Sequence, residues 1–241
     1  MIEVRALRKS FGPLAAVQDV GFVAPDQAVT GLLGPNGAGK STTLRMIYTV
    51  LTPDAGEVRI DGIDGVRDGA AARQAIGVLP AQPGLYRELS VRENIRYFGA
   101  LHGMARAPLA RRVDELISQL SLGDCASQRA GRLSQGQRVK TALARALVHS
   151  PRNVLLDEPT NGLDVPAIRA LREIILSLKA EGRCVLFSSH VMQEVAAVCD
   201  RLVVIAGGRV IAEATPAALA EAHGGSLEDA FVAAVRAAGH G

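Results

Sequence analysis

The chain has 241 residues, 48% of them hydrophobic, which is enough for one substantial core with an attached subdomain. A formal net charge of +3 spread along the sequence, 3% aromatic residues and no Trp argue against a nucleic-acid binder, which needs concentrated basic charge or stacking platforms. Cys125, Cys184 and Cys199 are far apart, odd in number and without a CxxC, which reads as reduced thiols in a cytosolic protein rather than a zinc site.

The opening MIEVRALRKSFG lacks the apolar stretch of a signal peptide. No apolar run reaches the ~18 residues of a membrane-spanning helix, so a membrane role has to come through a partner. Strands are predicted at Ile2–Leu7, Val17–Val23, Ala28–Leu33, Glu57–Ile60, Ile76–Leu79, Asn153–Asp157, Arg183–Ser188, Arg201–Ile205 and Arg209–Ala212. Several are continuous apolar runs, as in VLL and LVVI, and strands buried on both faces of a parallel sheet read that way. The first strands come without intervening helices, which predicts a smaller antiparallel sheet before an α/β core.

The stretch from about 83 to 150 reads as helical. Ser90 and Glu93 form a capping-box pattern, and Leu109, Val113, Leu116, Ile117 and Leu120 make an apolar helical stripe for the core. Asp164 before Pro166 starts another helix, with Ile168, Leu171, Ile175 and Leu178 on its apolar face and Gly182 as its C-cap. Thr215-Pro216 opens a further one. The expectation is one domain over 1–241 with a helical subdomain at about 83–150 and a short helical extension at about 215–241.

Gly34-Pro35-Asn36-Gly37-Ala38-Gly39-Lys40-Ser41 fits GxxxxGK[ST], between an apolar strand and a helical pattern. Gly34, Gly37 and Gly39 allow a tight turn whose backbone N–H groups cradle phosphate, and the helix starting near Lys40 aims its positive end at the same anion. Lys40 is placed for the β- and γ-phosphates, with Ala38 and Thr42 completing the loop, and the Ser41 hydroxyl is placed for Mg²⁺. Downstream, Asn153-Val-Leu-Leu-Asp157-Glu158 is an apolar strand ending in two carboxylates. Strand alternation separates them. Asp157 fits a Mg²⁺-holding acid and Glu158 a general base that polarises water.

With these motifs the chain resembles the ATP-binding cassette (ABC) family over nearly its whole length. Leu133-Ser-Gln-Gly-Gln137 looks like the family's LSGGQ signature, with Gln135 replacing the first glycine. Ser134 and Gln137 also make a capping box, so a helix begins there and its N-terminus, with Gly136, offers a second anion site. The resemblance implies that Ser134, Gly136 and Gln137 close over the γ-phosphate of ATP held by a second copy, head to tail. It makes Pro159–Asp164 the loop crossing that interface and His190, in LFSSH, a histidine contacting the γ-phosphate. His102, His149, His223 and His240 carry no such support. Phe11 occupies the adenine-stacking position, with core packing as the rival reading. The family usually has Gln directly after the strand ending near Pro80; here Ala81 stands there and Gln82 follows, so Gln82 is the candidate for sensing Mg²⁺ and the attacking water.

The expected fold is therefore α/β: a P-loop NTPase core with a mostly parallel sheet, an N-terminal antiparallel β-subdomain and an inserted helical subdomain. The narrower resemblance, carried by segments such as GLYRELSVRENIRYFGALHGM and the terminal SLEDAFV, is to the ATPase subunits of bacterial ABC-2 type sodium exporters. It implies ATP and Mg²⁺ as ligands and a cytoplasmic subunit, peripheral on the inner face of the membrane. It also implies an integral membrane permease partner, docking around Leu85–Tyr97. Drug, antibiotic or lipid export on the same architecture is the first alternative, and a non-transport ABC ATPase the second.

Overall fold

The computed structural model describes residues 1–221 and 225–239. His223 and His240 lie outside them. Ten strands among the described residues form one curled sheet. They are β1 (Ile2–Phe11), β2 (Leu14–Ala24), β3 (Val29–Leu33), β4 (Ala55–Ile60), β5 (Ile63–Asp64), β6 (Ile76–Leu79), β7 (Asn153–Asp157), β8 (Cys184–Ser188), β9 (Arg201–Ala206) and β10 (Arg209–Ala214). Their spatial order is β5-β4-β1-β2-β10-β9-β3-β8-β7-β6.

The sheet has two characters. β5, β4, β1 and β2 pair antiparallel. β9, β3, β8, β7 and β6 run parallel. The parallel strands are buried on both faces. Val29 and Leu33 of β3 enter one hydrophobic cluster and Leu32 the other, and β7 divides the same way, with Val154 and Leu156 opposite Leu155. The continuous apolar runs thus reflect two cores back to back.

The two parts share one hydrophobic cluster, with Ile2, Val20 and Ile60 of the antiparallel strands beside Leu32, Leu155 and Leu186 of the parallel ones, and their backbones meet at a short seam. β10 meets β2 in a single parallel register pair, Arg209 with Asp19. The Gly208 carbonyl accepts from the Gln18 and Asp19 N–H groups at 2.8 and 3.2 Å. Side-chain bonds from Gln18 to the Gly207 carbonyl and from Arg209 to Gln18 complete it.

Helices flank the parallel strands: α1 (Lys40–Ile47), α2 (Gly69–Ala75), α6 (Val165–Ala180), α7 (Met192–Val198), α8 (Pro216–Glu221) and α9 (Leu227–Ala237). The segment between β6 and β7 carries α3 (Val91–Leu101), α4 (Arg106–Gln119) and α5 (Gln135–Leu147). Both capping boxes form, at Ser90 with Glu93 and at Ser134 with Gln137. Asp164 caps α6 through the Ala167 N–H, and Gly182 follows it at φ 84°. The α4 stripe, Leu109 through Leu120, is buried as predicted.

Several elements depart from the sequence reading. β1 runs on to Phe11, β2 begins at Leu14, β4 begins at Ala55 and β10 runs on to Ala214. The two-residue β5 and the seven-residue α2, capped by Asp68, were not predicted, because neither is long enough to show a hydrophobic period.

Candidate active site

The carboxyl ends of the parallel strands and the tip of the β1–β2 hairpin converge on one cavity of about 550 Å³. Phe11, Leu14 and Ala16 line it from the hairpin; Asn36, Gly37, Ala38, Gly39, Lys40, Ser41 and Thr42 from the loop after β3; and Glu158, Asn161 and His190 from the loops after β7 and β8. That size suits a nucleotide-sized ligand.

The phosphate-binding loop has the required geometry. Gly39, the N-cap of α1, lies at φ 99°, and a Cβ there would sit 2.5 Å from the Ala16 carbonyl oxygen. Gly34 is buried against β9, where a Cβ would come within 2.2 Å of the Ile205 carbonyl oxygen. These contacts leave no room for a side chain. Lys40 is buried, and its ammonium donates to the Gly34 carbonyl at 2.6 Å and the Pro35 carbonyl at 3.1 Å. Burial pulls the Lys40 ammonium below the ordinary lysine value, against the opposing fields of Glu158 and Asp157.

The two carboxylates separate, by a left-handed turn at Glu158 rather than by the strand alternation expected, since β7 ends at Asp157. Asp157 is buried, and its Oδ1 accepts from the Ser188 hydroxyl at 2.9 Å. Burial pushes its carboxyl above the usual aspartate value, and the Ser188 bond works against that rise. Glu158 turns to the cavity, where its Oε2 meets His190 Nδ1 at 2.7 Å. The backbone of Glu158 is left-handed, at φ 48°, a conformation a non-glycine residue holds only when its surroundings enforce it. The enforcing group is Ser188: the Glu158 N–H donates to the Ser188 hydroxyl at 2.9 Å and to its carbonyl at 3.2 Å.

Phe11 is 49% exposed on the cavity wall, which overturns the core-packing reading. Gly34 and Pro35 open the loop without lining the cavity, and their carbonyls accept from Lys40. Ser134, Gly136 and Gln137 sit at the start of α5, away from this cavity; Gln135 Nε2 there reaches the Asn161 carbonyl at 3.5 Å, touching the loop after Glu158. Gln82 is exposed in the loop following β6 and is not among the cavity-lining residues. The sequence reading missed Ser188, Leu14 and Ala16, and placed Asn161 only in the interface loop Pro159–Asp164, not at the cavity. Ser188 was findable as a hydroxyl at the end of an apolar strand, two residues before His190. The other three reach the site only through the hairpin and loop geometry.

Comparison with known proteins places this geometry. Residues 17–161 match the family model for the ABC transporter. The chain is 44% identical over 197 residues to the ABC transporter ATP-binding protein NatA of Bacillus subtilis, covering 81% of this chain and 80% of that protein. It is 42% identical over 219 residues to the Nod factor export ATP-binding protein I of Paraburkholderia xenovorans, covering 90% and 72%. A solved ATP-binding subunit of an ABC transporter superposes with a TM-score of 0.89 at 30% identity, over 98% of this chain and 99% of that one. The ATP-binding cassette MJ0796, solved as a dimer in a post-hydrolysis state bound to ADP and Pi, superposes at 0.79 with 25% identity over 89% and 98%. The motif geometry and these likenesses agree: the chain belongs to the ABC transporter family, as an ATP-binding subunit that hydrolyses ATP.

Proposed function

We propose that the chain powers export of sodium ions through a separate integral membrane permease, by hydrolysing ATP between two copies arranged head to tail. The observation that carries the catalytic reading is the Glu158–His190 pair, held at 2.7 Å on the wall of the phosphate-loop cavity. Glu158 orients water for in-line attack on the γ-phosphate, and its hydrogen bond with His190 fixes the carboxylate toward that water. Lys40 and the loop N–H groups stabilise the charge that develops on the phosphate.

The hydroxyl of Ser41 and the carboxylate of Asp157 are hard oxygen donors, which suits Mg²⁺ completed by phosphate oxygens and water. When bound, Mg²⁺ supplies charge neutralisation on the β- and γ-oxygens. Gln82 is proposed to reach the site only as the helical subdomain moves toward the core.

The separation of Ser134, Gly136 and Gln137 from the cavity of their own chain supports the two-copy arrangement. Each copy offers the start of α5 to the other's nucleotide, and the neighbour MJ0796 is a dimer by its own description. Among the described residues no helix is long and apolar enough to cross a membrane, so transport needs a partner. The exposed, edge-to-face pair Tyr86 and Tyr97, 5.2 Å apart, lies in the expected docking segment. The choice of sodium follows the narrower sequence resemblance. The similarity to Nod factor export proteins favours the second reading, export of a drug, antibiotic or lipid by the same architecture.

The test is ATP-driven sodium efflux from vesicles holding the chain and its co-encoded membrane subunit, with Glu158→Gln as control. Efflux that vanishes in the variant supports sodium export. ATP hydrolysis without sodium movement moves the substrate to the drug, antibiotic or lipid class.

A further inference from the structure

Behind the Glu158–His190 pair lies a second carboxylate that the reaction itself does not use. Glu194 stands in the first turn of α7 and is only 9% exposed. Its Oε2 accepts from the Thr160 hydroxyl at 2.6 Å and from the Ser189 hydroxyl at 3.2 Å. Thr160 is two residues beyond Glu158, and Ser189 immediately precedes His190. The Ser189 oxygen in turn accepts the Val191 N–H at 3.0 Å, closing the turn around His190.

We infer that Glu194 is a positioning residue for hydrolysis, a buried clamp that fixes the loop carrying Glu158 to the loop carrying His190. The inference rests on the catalytic reading of that pair. Three features support it. The two loops leave different strands, β7 and β8, so their spacing beyond the sheet is set by cross-links between them. Hydrogen bonds to a carboxylate are roughly twice as strong as neutral ones, and here one oxygen collects both. The surroundings give the clamp no substitute. Leu171, Phe187 and Val198 wall the adjacent void, whose volume is about 10 Å³, at the lower limit for a single water. Arg172 of α6 also lines that void and is the cation facing Glu194, with no ion pair between them within 4 Å among the described residues. The carboxylate is thus committed to the two hydroxyls.

A displacement of about 1 Å between a water-orienting group and its partner costs on the order of 100-fold in rate while leaving ground-state binding nearly intact. Purified full chain is assayed for ATP turnover and ATP affinity. Glu194→Ala lowers kcat at least tenfold with KM for ATP within twofold of the parent. Glu194→Gln, whose amide still accepts from Thr160 and meets Ser189, recovers most of that loss. Thr160→Val lowers kcat, and the double variant with Glu194→Ala is no slower than the single one, because both changes cut the same link. A folded Glu194→Ala chain with kcat within twofold of the parent overturns the inference, as do strictly additive losses. If Glu194→Ala does not fold, Thr160→Val decides: unchanged kcat there overturns it. Glu158→Gln, run beside them, separates the two levels. Normal turnover in Glu158→Gln defeats the catalytic reading, whereas loss there with normal turnover in the clamp variants defeats only the clamp.

Discussion

Ser188 holds Asp157 and Glu158 at once: its hydroxyl donates to the Asp157 carboxylate and accepts the Glu158 N–H, each at 2.9 Å. One fully buried side chain therefore orients the acid expected to face the metal and fixes the left-handed backbone of the acid expected to face water. Ser188→Ala leaves the Asp157 carboxylate short of a buried partner, which costs about 1–3 kcal/mol. The expected result is a lower unfolding midpoint in urea together with a fall in kcat. Full activity at reduced stability would confine Ser188 to a structural role.

His190→Ala removes the partner of the Glu158 carboxylate. Loss of one positioned group at a developing charge lowers turnover roughly 100-fold. ATP affinity, measured by fluorescent-nucleotide titration, changes little, because the loop N–H groups and Lys40 remain. Equal losses in kcat and in affinity would place His190 in ground-state binding instead.

Phe11→Ala separates binding from folding. The ring is half exposed, so its removal leaves the urea midpoint nearly unchanged. Stacking on an aromatic platform contributes about 1–3 kcal/mol per base, so the Kd for ATP rises roughly 5- to 150-fold. An unchanged Kd would move the adenine contact elsewhere on the cavity wall.

Gln82→Ala lowers ATPase activity severalfold if Gln82 joins the site on closure of the dimer. Steady-state turnover of the variant decides this, and an unaltered rate places the sensing role on another residue. Gln82 starts from an exposed loop outside the cavity lining, so the closing movement is what the assay reads.

Away from the site, the His102 and His149 rings stack in parallel, 3.7 Å apart, with His149 Nε2 against the Ile76 carbonyl. Burial, with His102 beside it, holds His149 down at about 4. The folded chain therefore takes up this proton less readily than the unfolded one, and stability falls as the pH drops from 6.5 toward 4. Allowing for the partly exposed ring, the expected loss by pH 5 is about 1–2 kcal/mol. Urea unfolding at pH 7.5 and pH 5 measures it, and His149→Phe, which keeps a ring in the stack, reduces the difference. An equal loss in that variant assigns the acid sensitivity to other groups.

What was legible in the sequence is what lies within a few residues of itself. The phosphate loop, the paired acids at the end of β7 and both capping boxes are local patterns legible from spacing, although the left-handed backbone of Glu158 depends on the distant Ser188. The hydrophobic runs of β3, β7 and β8 announce burial on both faces for the same reason. What joins distant segments was not legible. Glu194 reads as one more polar residue on a short helix until β7 and β8 bring Thr160 and Ser189 to it. Arg145 reads as a helical cation, yet it is buried, donates to the Pro83 and Gly84 carbonyls and lies over the Phe98 ring at 4.4 Å. β5 and α2 escaped because their few residues carry no periodic signal.

The seam between β2 and β10 gives nucleotide binding a mechanical meaning. Phe11 and Leu14 belong to the antiparallel arm and Gly37 to Thr42 to the parallel core; besides the hydrophobic cluster that arm and core share, the two meet in one β2–β10 register pair with four hydrogen bonds and in a bond from the Cys184 thiol to the Ala24 carbonyl. A ligand resting on Phe11 at one end and on the phosphate loop at the other works as a rivet across that joint. The N-terminal arm of such a chain would stiffen with ATP occupancy and loosen with its departure, so amide exchange along β1 and β2 becomes a gauge of where the subunit stands in its cycle.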